Sequence, residues 1–350
     1  QGDSWAAKKT EGILGEVDRG SPESLFIIVT QKTPIPTVTA IIPTYNRENY
    51  IGEAIDSILD QSRPVDEIIV VDDGSTDNTS EFLKSYGDRI RYVKQQNSGP
   101  GAARNRGIRE ASGNFISFLD SDDLWVRDKT GIQMDFFERH PHLDLVFGDM
   151  ANFTDTEDDN SPEIKNRAIH DYLEAHATDL EKIRDCLIED NIVPTPSVMI
   201  KREAVDRIGF FDEDLRIGED YDYWLRASGI CRIGFVNEVL ARRRRHAGNL
   251  VSDWLYRNLS DIKVLSRLLS LNFPLATNTQ KLLEEKLSRI HYDIGSYFFK
   301  KKDFKSAFFH LNRKVLANSL FYKWYIKLFI SFFLSHLMSQ SNQTNLNNQS

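Results

Sequence analysis

Between residues 38 and 123 the chain alternates short apolar runs with segments of helical period, and three of those runs end in polar clusters. VTAIIPT (38–44) is closed by Pro43 and Thr44 and followed by ENYIGEAIDSILDQ, whose Ile51, Ala54, Ile55, Ile58 and Leu59 recur at helical spacing. DEIIVVDDGSTDNT (66–79) repeats the plan: Ile68 to Val71 make a β-branched strand, Asp72 to Ser75 close it, and Thr76 and Asp77 are candidate caps for the helix TSEFLKSY. RIRYVKQ (89–95) adds a short strand, NSGPGAARNRGIREA (97–111) a glycine-rich loop running into a cationic helix, and NFISFLD (114–120) a further strand. This alternation predicts a parallel, doubly wound sheet whose strand ends meet at one edge. Three clusters then converge there: Thr44 to Arg47, Asp72 to Ser75, and Asp120 to Asp123.

ISFLDSDD (116–123) carries the sharpest chemistry. A strand ending in Asp-x-Asp presents hard oxygen ligands at the sheet's carboxyl edge, where Mg²⁺ or Mn²⁺ can bridge phosphates. Alone, an acidic triplet after a strand is as readily a solvated loop or a helix cap. Its convergence with the two other clusters favours diphosphate chemistry.

PTYNR (43–47), VVDDGSTD (70–77), NSGPGAARNRGI (97–108) and FLDSDDLW (118–125), in this order and spacing, resemble the inverting family 2 glycosyltransferases of the GT-A fold. The likeness continues through GEDYDYWLR (218–226) and RRRRHAGN (242–249). It implies an α/β fold with a Rossmann-like, mostly parallel sheet flanked by helices, over a catalytic domain at 37–250. Residues 37–123 would form the nucleotide-binding half and 124–250 the acceptor half. The expected substrate is a nucleoside diphosphate sugar, with a UDP-sugar favoured, and the expected cofactor is Mn²⁺ or Mg²⁺. The acceptor would be a glycan or a lipid-linked saccharide.

The resemblance also assigns roles. Pro43, Thr44 and Tyr45, with Arg47 beside them, would hold the nucleoside, Asp73 would accept from the uracil N–H, and Asp72 would support that loop. Asn97, Gly99, Gly101, Arg104 and Asn105 fall in the nucleotide-contacting segment. Glycines let backbone approach a ligand, and Arg104, near a helix N-terminus, would add positive potential by the phosphates. Asp122 would ligate the metal, with Asp120 on the ribose or a metal-bound water, and His246 would be a second ligand. Inverting transfer needs a base on the sugar face opposite the leaving group, a role that falls to Asp220 with Glu219 supporting it or binding acceptor. Burial and neighbouring like charge would raise a base's pKa toward usefulness.

Each residue has a plainer reading. Asp73 can stabilise a turn, Glu219 and Asp220 can cap the helix YDYWLRAS, and His246 can be an ordinary surface or core histidine. Tyr223 and Trp224 are a candidate acceptor floor or simply core. Arg106 and Arg109 read as helix surface, and Asp123 equally as a helix cap or as support for the metal ligand. Arg242 to Arg245 read as an alternating strand, with Arg244 a candidate for meeting phosphate or an anionic acceptor.

A net charge of −8 argues against general nucleic-acid binding, so an anionic substrate would be met locally by metal and clustered arginine. The two cysteines, Cys186 and Cys231, form no CxxC pair, which fits two buried thiols and a reducing cytoplasm. Residues 1–36 read as an extension with a candidate strand at SLFIIVT, lacking a basic leader with an apolar core. Residues 251–338 are helical in period, and 291–318 resembles one tetratricopeptide-like helix pair, expected to pack on the catalytic domain because a single repeat cannot stack. The aromatic stretch 320–338 is interrupted by Lys323 and Lys327 and too short to span a bilayer. It reads as an interfacial helix, giving peripheral contact at the inner membrane face, or as core packing. Residues 339–350 are polar, low in complexity and expected to be disordered.

Two other functions compete with sugar transfer. A sugar-phosphate nucleotidyltransferase would show a glycine-rich fingerprint with lysine near the first strand, which IIPTYNR lacks. A catalytically inactive sugar-nucleotide-binding or scaffold protein would have no need of Asp122 and Asp220.

Overall fold

The computed structural model describes residues 36–154, 158–162, 167–246, 254–270 and 275–312, together with positions 327, 330, 331 and 333. The extension at 1–35, nearly all of the 320–338 stretch and the 339–350 tail lie outside the described residues.

The first half follows the alternation in the sequence: β1 (Val38–Thr44), α1 (Ile51–Leu59), β2 (Glu67–Asp72), α2 (Thr79–Leu83), β3 (Arg91–Lys94), α3 (Pro100–Glu110) and β4 (Phe115–Phe118). These strands lie side by side in the order β3-β2-β1-β4, all parallel. Successive side chains of a strand point to opposite faces. Ala40 and Ile42 therefore pack with Ile51, Ala54, Ile55 and Ile58 of α1, whereas Ile41 packs with Ile108 of α3. Each fully buried aliphatic chain of this kind contributes about 1.5–3 kcal/mol of transfer free energy. Helices on both faces leave only the strand ends open to a ligand.

The second half comprises β5 (Leu124–Trp125), α4 (Lys129–Arg139), β6 (Leu145–Phe153), β7 (Asp158–Pro162), α5 (Arg167–Ala175), α6 (Leu180–Glu189), β8 (Met199–Lys201), α7 (Arg202–Ile208), α8 (Glu219–Ile230) and β9 (Ile233–Arg244). It extends the sheet from β4 in the order β8-β6-β9-β5, with β7 on β6. β8 is antiparallel to β4 and β6, and β5 to β9, while β6 and β9 are parallel. The sheet is thus mixed, and the parallel pairing expected of the first 120 residues is confined largely to them. β5 was not expected from the sequence. It consists of two residues inside the acidic motif, and its pairing of Leu124 with Arg242 brings the end of β9 beside the Asp120–Asp123 turn.

The carboxyl region holds α9 (Trp254–Ser270), α10 (Thr277–Lys300) and α11 (Phe304–Leu311). Val264, Leu265 and Leu268 of α9 and Leu283, Ile290 and Ile294 of α10 share one core with Leu187 and Ile188 of α6. Arg289 pairs with Glu189 at 2.5 Å on its rim. α9 and α10 therefore pack on the sheet domain; within the 291–318 stretch α10 meets α11, Gly295 against Leu311, and residues 313–318 lie outside the described residues. Among the described residues no helix is long and apolar enough to cross a membrane.

Candidate active site at the carboxyl edge of the sheet

β1 and β2 end in register, Thr44 opposite Asp72, and the Asp73 amide donates to the Thr44 carbonyl at 2.8 Å. Asn46, at φ +51°, knits the two loops: its amide donates to Ser75 Oγ (3.0 Å) and its Oδ1 accepts from the Thr76 amide (2.8 Å). Asp72 is buried, which alone would raise its carboxyl. Hydrogen bonds from Ser75, Ser80 and Tyr92 outweigh that and hold it below the ordinary range. Asp72 thus supports the loop.

Asp73 is committed more heavily than its expected role requires. Its Oδ1 accepts from Gln95 Nε2 (2.8 Å) and the Ser98 amide (2.9 Å), and its Oδ2 from the Gly99 amide (2.8 Å). One lone pair on Oδ2 is left. Gly74, at φ +80°, allows this approach, because a Cβ there would sit 2.9 Å from the Asn97 amide nitrogen. Thr44 is buried with its hydroxyl unpartnered among the described residues, while Tyr45 and Asn97 are exposed and Pro43 lies within β1 opposite Val71.

The β5–β9 pairing builds the second part of the site. Asp122 Oδ2 lies 3.1 Å from His246 Nε2 and 3.3 Å from Arg47 Nε, and the His246 ring stacks on Tyr50 at 4.9 Å. Asp123 does not begin a helix, since β5 follows it and α4 starts only at Lys129. Its Oδ1 accepts from the Arg244 amide at 3.0 Å, and burial together with Asp120 and Asp122 pushes its carboxyl well above the usual range. Arg244 is buried, donating to the Asp122 carbonyl (3.2 Å) and Glu53 (2.7 Å) near the rings of Tyr50 and Phe153. That makes it a strut between β9, α1 and the acidic turn.

Asp122 and His246 suit a divalent cation by donor chemistry, a carboxylate oxygen beside an imidazole nitrogen. Two donors of one octahedral ion held at about 2.1 Å stand about 3 Å apart, close to the 3.1 Å found here. Among the described residues no cluster of three or more His, Cys, Asp or Glu side chains surrounds one ion position. Protein donors alone would leave such an ion open to substrate phosphates, the usual arrangement for Mg²⁺.

Arg104 completes the site, in a way its motif did not announce. It is buried on α3, donating from Nη1 to Glu219 (2.7 Å) and from Nη2 to Asp120 (2.8 Å). Burial would lower its pKa, but Asp120, Glu219 and Asp220 outweigh that and keep the guanidinium protonated. Glu219 is pushed up to about 7, by burial first and by Asp220, against the pull of Arg104. Asp220 accepts from Asn191 Nδ2 (3.2 Å), makes a longer contact with Thr195 Oγ1 (3.5 Å), and accepts the Tyr221 amide (2.7 Å).

Other expectations resolve differently. Asn105 exchanges hydrogen bonds with the backbone of Phe211 (2.9 and 2.8 Å), tying α3 to the loop before α8. Tyr223 and Trp224 are fully buried around Phe211 and form core, not an acceptor floor. Arg106 pairs with Glu110 and Arg109 with Glu213 on the surface. Asn191 and Thr195 were missed as neighbours of Asp220; the only signal was polar residues inside NIVPTPS, which reads as a strand-like run.

Residues 39–209 match the family model described as Glycosyl transferase family 2. An uncharacterized glycosyltransferase of Rickettsia typhi is 35% identical over 218 residues, 62% of this chain and 66% of that protein, so the chain spans just under two thirds of that relative's length. A Bacillus subtilis protein named "putative teichuronic acid biosynthesis glycosyltransferase TuaG" is 34% identical over 217 residues, 60% of this chain and 79% of TuaG. The fold is similar to that of S. aureus TarS 1–349 in complex with UDP-GlcNAc, with a TM-score of 0.59 and 21% identity over 79% of each chain. By its match to the family model and its likeness to TuaG over most of that protein's length, the chain belongs to glycosyl transferase family 2.

Proposed function

We propose that this chain transfers a sugar, with inversion, from a nucleoside diphosphate sugar to a hydroxyl of a saccharide or lipid-linked acceptor, and that UDP is the favoured nucleotide. One observation carries the reading: Asp122 with His246, and Asp120 with Glu219 across Arg104, meet at one sheet edge beside Asp220. A TarS structure with UDP-GlcNAc and the polymer in TuaG's name support the substrate classes.

In this mechanism the Pro43–Tyr45 segment and Asp73 hold the nucleoside, and Asn97 borders the loop that Asp73 organises. Asp122 and His246 would hold Mn²⁺ or Mg²⁺. Bound there, the ion would supply Lewis-acid stabilisation of the charge that collects on the departing diphosphate. Asp220 takes the proton of the acceptor hydroxyl as that oxygen forms its bond to C1. The bond from C1 to the diphosphate oxygen breaks with its electron pair, and the nucleoside diphosphate leaves. Arg104 remains protonated between Asp120 and Glu219 and keeps both halves of the site in register. Glu219, with its raised pKa, can present a protonated carboxyl to the acceptor near neutral pH.

The test is release of free nucleoside diphosphate from a panel of UDP-, GDP- and dTDP-sugars, with and without Mn²⁺ and with candidate glycan acceptors. Metal- and acceptor-dependent release supports transfer. Specific binding without release from any donor marks an inactive binding protein, and pyrophosphate chemistry on sugar phosphates a nucleotidyltransferase.

A further inference from the structure

α9 lies beyond the segment matched by the family model and beyond every residue given a chemical role above, yet it grips both flanks of the Glu219–Asp220 pair. On one side, Ser260 Oγ donates to the Ile217 carbonyl at 2.5 Å. On the other, Arg267 Nη1 bridges Asp212 Oδ2, before the pair, and Asp222 Oδ1 (3.2 Å), after it. Between these anchors Gly218 stands at φ +80°, where a Cβ would lie 2.9 Å from Ser260 Oγ and 3.7 Å from Val264 Cγ2. The backbone just before Glu219 therefore rests directly on α9.

α8 cannot supply this restraint itself. Its N-cap is Gly218, which has no side chain to cap the first turn, where the Asp220 side chain accepts the Tyr221 amide. Asp222 is buried and bound to Arg226 within the helix at 2.8 Å, so its second oxygen is free to take Arg267 and tie the first turn to α9. Val264, Leu265 and Leu268 anchor α9 in the same core as Leu215 and Tyr221.

We propose that Ser260 and Arg267 are positioning residues for the transfer: they hold the Asp212–Asp222 segment so that Asp220 meets the acceptor hydroxyl in line. This inference rests on Asp220 as the base. A displacement of about 1 Å at such a group costs about a hundredfold in rate, so two anchors on one short loop are enough to govern kcat without touching substrate.

The experiment compares Arg267→Ala, Arg267→Lys, Ser260→Ala and Asp220→Asn in the full chain. Turnover is followed on whichever panel donor releases nucleoside diphosphate fastest, and amide hydrogen exchange is followed without substrate. Arg267→Ala is expected to lower kcat by about 10–100-fold with KM for the donor within about twofold, and Arg267→Lys to recover part of the loss. Ser260→Ala is expected to fall between Arg267→Lys and wild type. Exchange should quicken over residues 216–222 and stay unchanged over 72–74. Should Arg267→Ala fail to fold, Ser260→Ala carries both measurements. Unchanged exchange over 216–222, kcat within about twofold of wild type, or loss of donor binding in step with kcat overturns the proposal. Normal turnover in Asp220→Asn overturns the base assignment instead, while the exchange measurement still decides whether α9 restrains the loop.

Discussion

Arg104 lies 2.7 Å from Glu219 and 2.8 Å from Asp120, so one buried guanidinium joins the acidic turn after β4 to the first turn of α8. Removing one partner of a buried ion pair costs about 3–5 kcal/mol, because the other charge stays buried and unpaired. Arg104→Met should lose that much at pH 8, where the wild-type pair is ionised, and less at pH 6, where Glu219 is already taking up a proton beside Arg104. Chemical denaturation at the two pH values checks this; equal losses at both would contradict it.

Glu219 gives a pH signature of its own. Its carboxyl titrates near 7 in the folded chain against an ordinary 4.5, so between those values the native state holds more protons than the unfolded state. Stability contributed by this group is greatest at low pH and is lost as pH rises through about 7. The melting temperature of the wild type should therefore fall more steeply between pH 5 and 8 than that of Glu219→Gln. Asp123 and Asp261 also titrate high, but they do so in both proteins and cancel in the comparison. Parallel curves would show that Glu219 is not raised.

Asp122→Asn removes a charge at the acidic turn, where the carboxylate meets Arg47 and His246. It should abolish the gain in UDP affinity that Mn²⁺ confers, and leave the melting temperature within about 2 °C of wild type, because the isosteric amide keeps an oxygen for Arg47 and His246 and relieves repulsion among Asp120, Asp122 and Asp123. Isothermal titration with and without Mn²⁺ reads the first, and differential scanning the second. A retained metal effect would move the metal away from Asp122 and His246.

Asp73 has one carboxylate lone pair left for a base, because Gln95, Ser98 and Gly99 occupy the rest. Uracil offers a single ring N–H, whereas guanine offers adjacent N1–H and N2–H donors that ask for two oxygens. UDP should therefore bind more tightly than GDP. Competition calorimetry in which GDP equals or exceeds UDP would contradict this.

The parallel half of the fold was legible because two local periods coincide there: apolar runs of strand length, and Ile51, Ala54, Ile55 and Ile58 at helical spacing. The same patterns placed Asp73 and Asp122 at strand ends, while the resemblance of GEDYDYWLR singled out Asp220, which stands in the first turn of α8. What stayed hidden was set by long-range pairing. β5 is two residues long, too short for any period, and only its register with β9 shows why Asp123 binds backbone at Arg244. The resemblance put Arg104 in the nucleotide-contacting segment, and its bond to Glu219 depends on how α3 and α8 dock. Ser260 and Arg267 carried no motif at all.

Turnover by Asp220→Asn tests the central claim most directly. Removing a general base that acts on the acceptor hydroxyl should lower kcat by about 10²–10⁴-fold, with the Kd for UDP and Mn²⁺ unchanged, since Asp220 touches neither in this account. The measurement is single-turnover release of nucleoside diphosphate from the preferred donor in the presence of acceptor, beside calorimetric binding of UDP. A large loss of rate with intact binding is the predicted result. Asp220→Asn turning over at the wild-type rate, with the acceptor glycosylated as before, would contradict the assignment of Asp220 as the base.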